Sequence, residues 1–333
     1  MFPDKVGKMV LDGVTNGHEY FSGRNKEWIV DTDGAVQGFL SSCIAAKSSC
    51  PLTNHGNSTS VLTSKILQKL EQLKQNPATV AGQQVTYAGT KSFIWQQSYH
   101  PYAWPVVAQS LDHFLNGKYE AFQAVQASLS KDESPFPKTS NDALSAISCG
   151  DYAWRTADFE EIKQYANEME AKSIFGGLTG LPQEIDCAAW RFQAKERYQG
   201  DFHVQTRNPI LFVGNTHDPV TPYASAKNMS TGFDGSVLLH HDGYGHCSNA
   251  QPSICTANNI RAYWQDGSLP SEGTYCEPEY PPFVSTQNQD EIVVPALSSR
   301  ALKPRSEDDK ALLEAVETLG RLQSKAHRSQ WKV

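Results

Sequence analysis

Nowhere in the 333 residues does the sequence read Gly-x-Ser-x-Gly. The sharp strand-to-helix turn that exposes a nucleophilic serine therefore has no place in it. There is no His-Glu-x-x-His and no Cys-x-x-Cys, which removes helix-borne zinc and dithiol redox chemistry. No run of about 18 apolar residues occurs, so no membrane-spanning helix is expected. Positive charge is short: 29 Lys and Arg stand against 36 Asp and Glu, for a net charge of -7. Neutralising nucleic-acid phosphates needs clustered cations, so a nucleic-acid partner is not expected. The opening Met1-Phe2-Pro3-Asp4-Lys5-Val6 has neither a basic nor an apolar leader region, and no signal peptide is read there.

What is present describes a globular protein. Hydrophobic residues make up 39% and charged residues 20%, enough apolar content to fill a core and too little charge for a disordered chain. The length suits one large domain with an insertion or two modest domains. Seven cysteines and two glycosylation sequons, at Asn57 and Asn228, favour an oxidising, secretory setting. That expectation and the missing leader fit together only if the natural start lies upstream.

Two segments carry the chemistry. Asn208-Pro209-Ile210-Leu211-Phe212-Val213-Gly214-Asn215-Thr216-His217-Asp218-Pro219 reads as a buried strand ending on an acid. Val237-Leu238-Leu239-His240-His241-Asp242-Gly243-Tyr244-Gly245-His246-Cys247 reads as a second, ending on a base. A hydroxyl nucleophile needs an imidazole to take its proton, and the imidazole needs a carboxylate to fix its tautomer. Asp218 and His246 are the candidates for those roles. The stretch between them is long enough for one helix and one strand, so adjacent strands can bring the loops together. Taken singly, Asp218 also reads as a turn or cap residue and His246 as a loop histidine. His217, His240, His241 and Asp242 are dense, but alternation along a strand sends His240 and His241 to opposite faces. No metal and no cofactor is expected.

The rest of the chain arranges itself around those segments. Val6 to Val14 reads as a short buried strand of the parallel kind. From about residue 19 to residue 207 the pattern is helical. One apolar stripe runs through Val61, Leu62, Ile66, Leu67, Leu70 and Leu73, a second through Val106, Val107, Leu111, Phe114 and Leu115, and a third through Phe159, Ile162, Tyr165, Ala166 and Met169. These stripes predict helix-to-helix core. A helix is predicted from Ala257 to Trp264. Ser306 caps a terminal helix whose apolar stripe is Leu312, Val316, Leu319 and Leu322. The order strand, helical block, strand-Asp, strand-His is that of the last part of an α/β-hydrolase sheet with an inserted helical cap. The expected divisions are 1–18 (one strand of the hydrolase core), 19–207 (cap), 208–283 (C-terminal core) and 284–333 (polar linker and terminal amphipathic helix).

Phe2-Pro3-Asp4-Lys5-Val6-Gly7-Lys8-Met9-Val10-Leu11-Asp12-Gly13-Val14, the Asp218 and His246 segments, and Gly267-Ser268-Leu269-Pro270 through Gly273-Thr274-Tyr275-Cys276 together resemble the tripeptidyl aminopeptidase branch of the prolyl aminopeptidase-like α/β-hydrolases. These are secreted serine exopeptidases. The resemblance spans about residues 1–280, is densest from Asn208 to Cys276, and leaves 284–333 uncovered. It implies Asp218 as acid, His246 as base, and a peptide substrate engaged by its N-terminal end. It also implies a nucleophile elbow roughly 15–20 residues before Met1. The chain by itself is therefore expected to be inactive, whether as a fragment, a mis-started reading frame or a degenerate paralogue.

An exopeptidase recognises a free α-ammonium group, and buried carboxylates do that best. Asp151 is the candidate in the cap and Asp12 the weaker one, though both also read as turn or cap residues. Trp95, Tyr99, Tyr102, Trp104, Trp154 and Trp190 are candidates to line an apolar pocket, or simply core. Cys43 and Cys50 are close enough for a local disulfide, and Cys149 with Cys187 could staple the cap. The family pattern favours Cys255 with Cys276, leaving Cys247 free; Cys247 with Cys276 is the open rival. Ser128-Leu129-Ser130-Lys131 is a formal Ser-x-x-Lys in a polar stretch and is read as chance. Two further readings stay open: an esterase or epoxide hydrolase of the same fold, and a non-catalytic binding protein. No oligomeric state follows from the sequence.

Overall fold

A computed structural model of the chain describes residues 2–129, 141–283, 285–288, 291–293 and 306–330. Ser130 and Lys131 of the formal Ser-x-x-Lys lie outside the described residues, as does part of the linker expected after residue 283.

The sheet is parallel. Strand β1 (Val10–Asp12) begins it, and a small hairpin of β2 (Ala78–Val80) and β3 (Gln83–Val85) stands apart. Strands β4 (Leu211–His217), β5 (Val237–Tyr244) and β6 (Tyr275–Cys276) complete the main sheet in the order β1-β4-β5-β6. Val10 pairs with Leu211, Leu211 with Val237, and His240 with Tyr275, all in parallel register. A second hairpin, β7 (Ser285–Asn288) with β8 (Glu291–Val293), follows. The first strand is shorter and more open than its sequence suggests: β1 is half-buried along its length, because it lies at the margin of this sheet.

Strand β4 is apolar on both faces, as a strand covered from both sides must be. Leu211 and Val213 pack with Leu239, Tyr263 and Cys276 on one face. Phe212 packs with Val14, Ala226 and Met229 on the other.

Between β1 and β4 the chain builds the helical block. Its helices are α1 (Gly17–Ser22), α2 (Thr32–Ala45), α3 (Thr59–Gln75), α4 (Tyr87–Ser98), α5 (Trp104–Leu115), α6 (Tyr119–Leu129), α7 (Asn141–Asp151), α8 (Phe159–Lys172) and α9 (Leu181–Ala188). In α3, Ser58 accepts a hydrogen bond from the Val61 N–H and starts the helix. Leu62, Ile66, Leu70 and Leu73 are buried along it, whereas Val61, in its first turn, is exposed. Phe39, Leu62, Ile66, Trp104, Leu111, Phe114 and Phe122 share one core. Trp154, Tyr165, Met169 and Leu181 share a second with Ile29. Asp33 joins the two, accepting from Ser173 Oγ and from the Ile174 and Phe175 N–H groups at 2.8, 2.8 and 3.0 Å.

Helix α10 (Tyr223–Ser230) connects β4 to β5, and α11 (Ile254–Asp266) connects β5 to β6. The latter starts earlier than periodicity predicts, because Ser253 caps it by accepting from the Thr256 N–H. Helix α12 (Glu307–Gln330) ends the described chain. Ser306 Oγ accepts from the Asp309 N–H at its start. Its packed face is turned from the predicted stripe and shares part of it: Leu313 and Gly320 are buried and Leu312 and Val316 half-buried, while Leu319 is 59% and Leu322 53% exposed. Disulfides join Cys43 to Cys50, Cys149 to Cys187 and Cys255 to Cys276. Cys247 is a buried free thiol. Both sequon asparagines, Asn57 and Asn228, are exposed. Among the described residues no helix is long and apolar enough to cross a membrane.

Candidate active site

Parallel α/β sheets place their ligand crevices at the carboxyl ends of the strands. Three residues sit there: Asp12 ends β1, Asp218 follows β4, and His246 comes two residues after β5.

Asp218 is fully buried. Its Oδ1 accepts from the Val220 N–H at 3.0 Å and the Thr221 N–H at 2.8 Å, the self-turning geometry of an aspartate before a helix. Its Oδ2 accepts from Thr221 Oγ1 at 2.8 Å and from the Cys247 N–H at 2.9 Å. His246 Nδ1 lies 3.1 Å from Oδ2 and 3.3 Å from Oδ1, and 3.1 Å from Thr221 Oγ1. Burial alone would raise this carboxyl. The neighbouring imidazole and the backbone donors outweigh it and hold the group below its ordinary range. For His246 the balance is reversed: burial pulls the imidazole down, but the Asp218 charge and Cys247 raise it well above its ordinary value. The site thus stabilises an imidazolium. With Nδ1–H committed to the carboxylate, the neutral ring carries its lone pair on Nε2, the form a general base requires.

Backbone geometry brings the ring there. Gly245 has φ +93, and a Cβ on it would meet Pro101 and the Tyr99 carbonyl at 2.6 and 2.7 Å. The His246 N–H then donates to that Tyr99 carbonyl at 3.0 Å, and the two rings lie 5.4 Å apart. Cys247 follows at φ 66, a conformation that strains a non-glycine residue by roughly 1–3 kcal/mol. The strain turns the Cys247 N–H onto Asp218. Asn215 ties the loop from below, donating through Nδ2 to the Gly245 carbonyl at 2.7 Å and accepting from the Gly243 N–H at 2.9 Å.

The two carboxylates expected to meet substrate each accept hydrogen bonds from within the chain. Asp12 accepts from the Ser248 N–H at 3.0 Å and from Ser248 Oγ at 2.7 Å. It anchors the turn after His246. Burial raises its carboxyl against those two hydrogen bonds. Asp151, at the end of α7, accepts from Tyr20 OH at 3.0 Å. Of the aromatic candidates, Tyr99 stands against His246 by ring contact, Trp104 packs on Tyr244 and Trp154 on Tyr165.

Sequence reading missed several supports. Thr221, Asn215 and Ser248 act through contacts made across the fold, and Tyr99, a pocket candidate by sequence, also acts through its backbone carbonyl. Only Thr221, three residues after Asp218, carried a local signal. Asp31 is a further acid in this wall, its carboxyl pushed up to about 6 by burial and by the charge of Asp218. His240 and His241 do part: His240 stacks on Tyr223, and the buried His241 pairs with Thr256 Oγ1 at 2.9 Å. Asp218, His246 and Cys247 bring three donor atoms within 4.8 Å of one another. Both oxygens of Asp218 are already filled by N–H and O–H donors, so this set does not suit a resident metal ion.

Residues 174–276 match the model of a family described as TAP-like protein, of the α/β-hydrolases. Carboxylesterase B of Mycobacterium tuberculosis is 24% identical over 295 residues, covering 83% of this chain and 53% of its own length. Serine protease Hip1 of the same organism is 23% identical over 283 residues, covering 83% of this chain and 54% of its own length. Tripeptidyl aminopeptidase of Streptomyces coelicolor is 23% identical over 292 residues, covering 85% and 52%. The chain thus spans about half the length of the curated relatives it matches.

Proposed function

The chain belongs to the TAP-like family of α/β-hydrolases, and on that premise we propose that it carries the acid and base of a secreted serine aminopeptidase. Asp218 is the acid and His246 the base. The observation that carries the reading is the 3.1 Å contact between them at the ends of adjacent parallel strands. The substrate is a peptide held by its N-terminal end, under a cap formed by residues 19–207, with the C-terminal core at 208–283. Three disulfides and two exposed sequon asparagines support a secretory setting.

These 333 residues hold no Gly-x-Ser-x-Gly. On this reading they turn over nothing unaided, since removing the nucleophile from such a triad costs on the order of 10⁶ in rate. Ester hydrolysis is the second reading, favoured by the name of one relative, carboxylesterase B.

The test has two arms. The purified chain is treated with a fluorophosphonate probe and assayed on tripeptidyl anilides and p-nitrophenyl esters. Neither labelling nor turnover is expected. Turnover lost on His246→Ala would end the claim of silence but keep the base; turnover indifferent to His246→Ala would end the claim for the base. In the second arm, NMR titration of His246 should give a pKa above 6.5 that falls in Asp218→Asn. An unperturbed titration would sink the pairing.

A further inference from the structure

Helix α12 lies beyond the family match, which ends at residue 276, yet it packs against the turn that follows His246. That turn is Ser248–Ala250, and α12 contacts it together with α11. The contact runs through Gly320. A Cβ there would stand 2.2 Å from the Asn249 carbonyl oxygen and 3.1 Å from the Tyr102 ring. Only a residue without a side chain lets the helix backbone come so close. Three residues on, Gln323 Oε1 accepts from Asn249 Nδ2. Arg321 stands over the Tyr102 ring, 5.8 Å from its centroid.

These contacts reach two segments that adjoin His246. Asn249 is three residues after His246. Tyr102 belongs to the short turn Pro101–Ala103, whose Pro101 meets Gly245 and which follows the Tyr99 that takes the His246 N–H. One rigid helix therefore presses the His246 turn and the cap turn against each other.

We infer that α12 is a strap whose Gly320, Arg321 and Gln323 are positioning residues for His246. The inference rests on reading His246 as the base. Without the strap the Ser248–Ala250 turn keeps its Asp12–Ser248 hydrogen bonds but loses every contact that α12 makes with Asn249. The strained Cys247 backbone then gains freedom to relax, and relaxation draws the imidazole off Asp218.

The test follows the His246 imidazole by NMR in the whole chain, so it needs no catalytic turnover. The titratable groups that face it are Asp218, Cys247 and Asp12, with Tyr99 in ring contact; none is changed by the variants. Gly320→Leu should detach α12, seen as faster amide exchange along it. The His246 pKa should then drop by about one unit, a tenfold change in protonation equilibrium. Leu319→Ala, on the exposed side of the same helix, should leave it unchanged. Should Gly320→Leu fold poorly, the double variant Arg321→Ala/Gln323→Ala gives the same readout with smaller disturbance. An α12 that exchanges freely while His246 titrates as before would overturn the inference. An Asp218→Asn variant that leaves His246 unmoved would instead overturn the reading beneath it.

Discussion

The rings of His217 and Tyr244 stack face to face, with centroids 4.7 Å apart and planes 12° from parallel. His217 immediately precedes Asp218 and Tyr244 comes two residues before His246. The Gly245 N–H also donates to the His217 carbonyl at 3.1 Å. The two loops that carry Asp218 and His246 are thus pinned to each other before their own side chains meet. Helix α2 lies on this stack through Gly34 and Gly38, which ties the helical block to the site.

Those two glycines predict different outcomes on substitution. A Cβ at Gly38 would fall 2.0 Å from Tyr244 Cε1, whereas one at Gly34 would fall 3.0 Å from His217 Nδ1. Replacing a mid-helix glycine by alanine gains up to about 1 kcal/mol of helix propensity, and overpacking costs about 1–3 kcal/mol. At Gly38 the overlap wins, so Gly38→Ala should lower unfolding stability by about 2 kcal/mol in urea denaturation. Gly34→Ala should change it by under about 1 kcal/mol. Equal effects at the two sites would mean that the stack yields freely to α2.

The Asp218–His246 pair sets a pH window. Asp218 is held below its ordinary value of 3.8. Its contribution is complete above about pH 4 and drains away as pH falls through the folded value. His246 is raised well above 6.5. Its contribution is complete below about pH 6.5 and drains as pH rises through the folded value. The stability lost in Asp218→Asn should therefore be greatest between about pH 4 and 6.5, on the order of 3–5 kcal/mol for a broken buried pair. Denaturation midpoints across pH 3 to 9 measure it, and a difference that stays flat over that range would contradict the pairing.

His241 works in the opposite sense. It is buried against Thr256, and burial lowers its imidazole from 6.5 to about 4. The folded state keeps it neutral where the unfolded chain protonates it. Stability is complete above about pH 6.5 and is lost progressively as pH falls toward 4, by about 3 kcal/mol in total. In His241→Leu that acid slope should disappear, even if the variant is weaker at neutral pH for want of the Thr256 hydrogen bond. A slope preserved in the variant would assign the acid sensitivity elsewhere.

Asp218, His246 and the parallel sheet were legible because each of the two residues ends an apolar run, and apolar runs are what periodicity detects. The shell that orients them was not. Asn215 works from inside β4, and Tyr99 through its backbone carbonyl more than a hundred residues before His246. An acid at a strand end looks the same in sequence whether or not it holds a serine, so the Asp12–Ser248 contact is not legible there. Helix α12 packs on a face that only partly overlaps its apolar stripe. Leu312, Val316, Leu319 and Leu322 form an apolar stripe, but the packed side is set by Gly320, whose close approach leaves no hydrophobic signal.

Cys247 gives the most direct chemical check on the loop. It is the free cysteine among the described residues, buried beside His246, and burial pushes its thiol up from the ordinary value. A thiol that is both covered and protonated reacts slowly. The native chain should therefore show no reaction with a disulfide reagent, and the denatured, unreduced chain should show one reactive thiol. Alkylation in denaturant followed by peptide mapping should place the label on Cys247. A label on Cys255 instead would mean that Cys247 is bridged to Cys276, and its N–H could then not be assumed to reach Asp218. The Cys255–Cys276 bridge closes a loop with a sequence separation of 21, worth about 3 kcal/mol by chain entropy. Cys255→Ser/Cys276→Ser should therefore lower stability by about that amount. It should leave the reactivity of native Cys247 unchanged, because the bridge ties α11 to β6 and not the loop that holds the thiol.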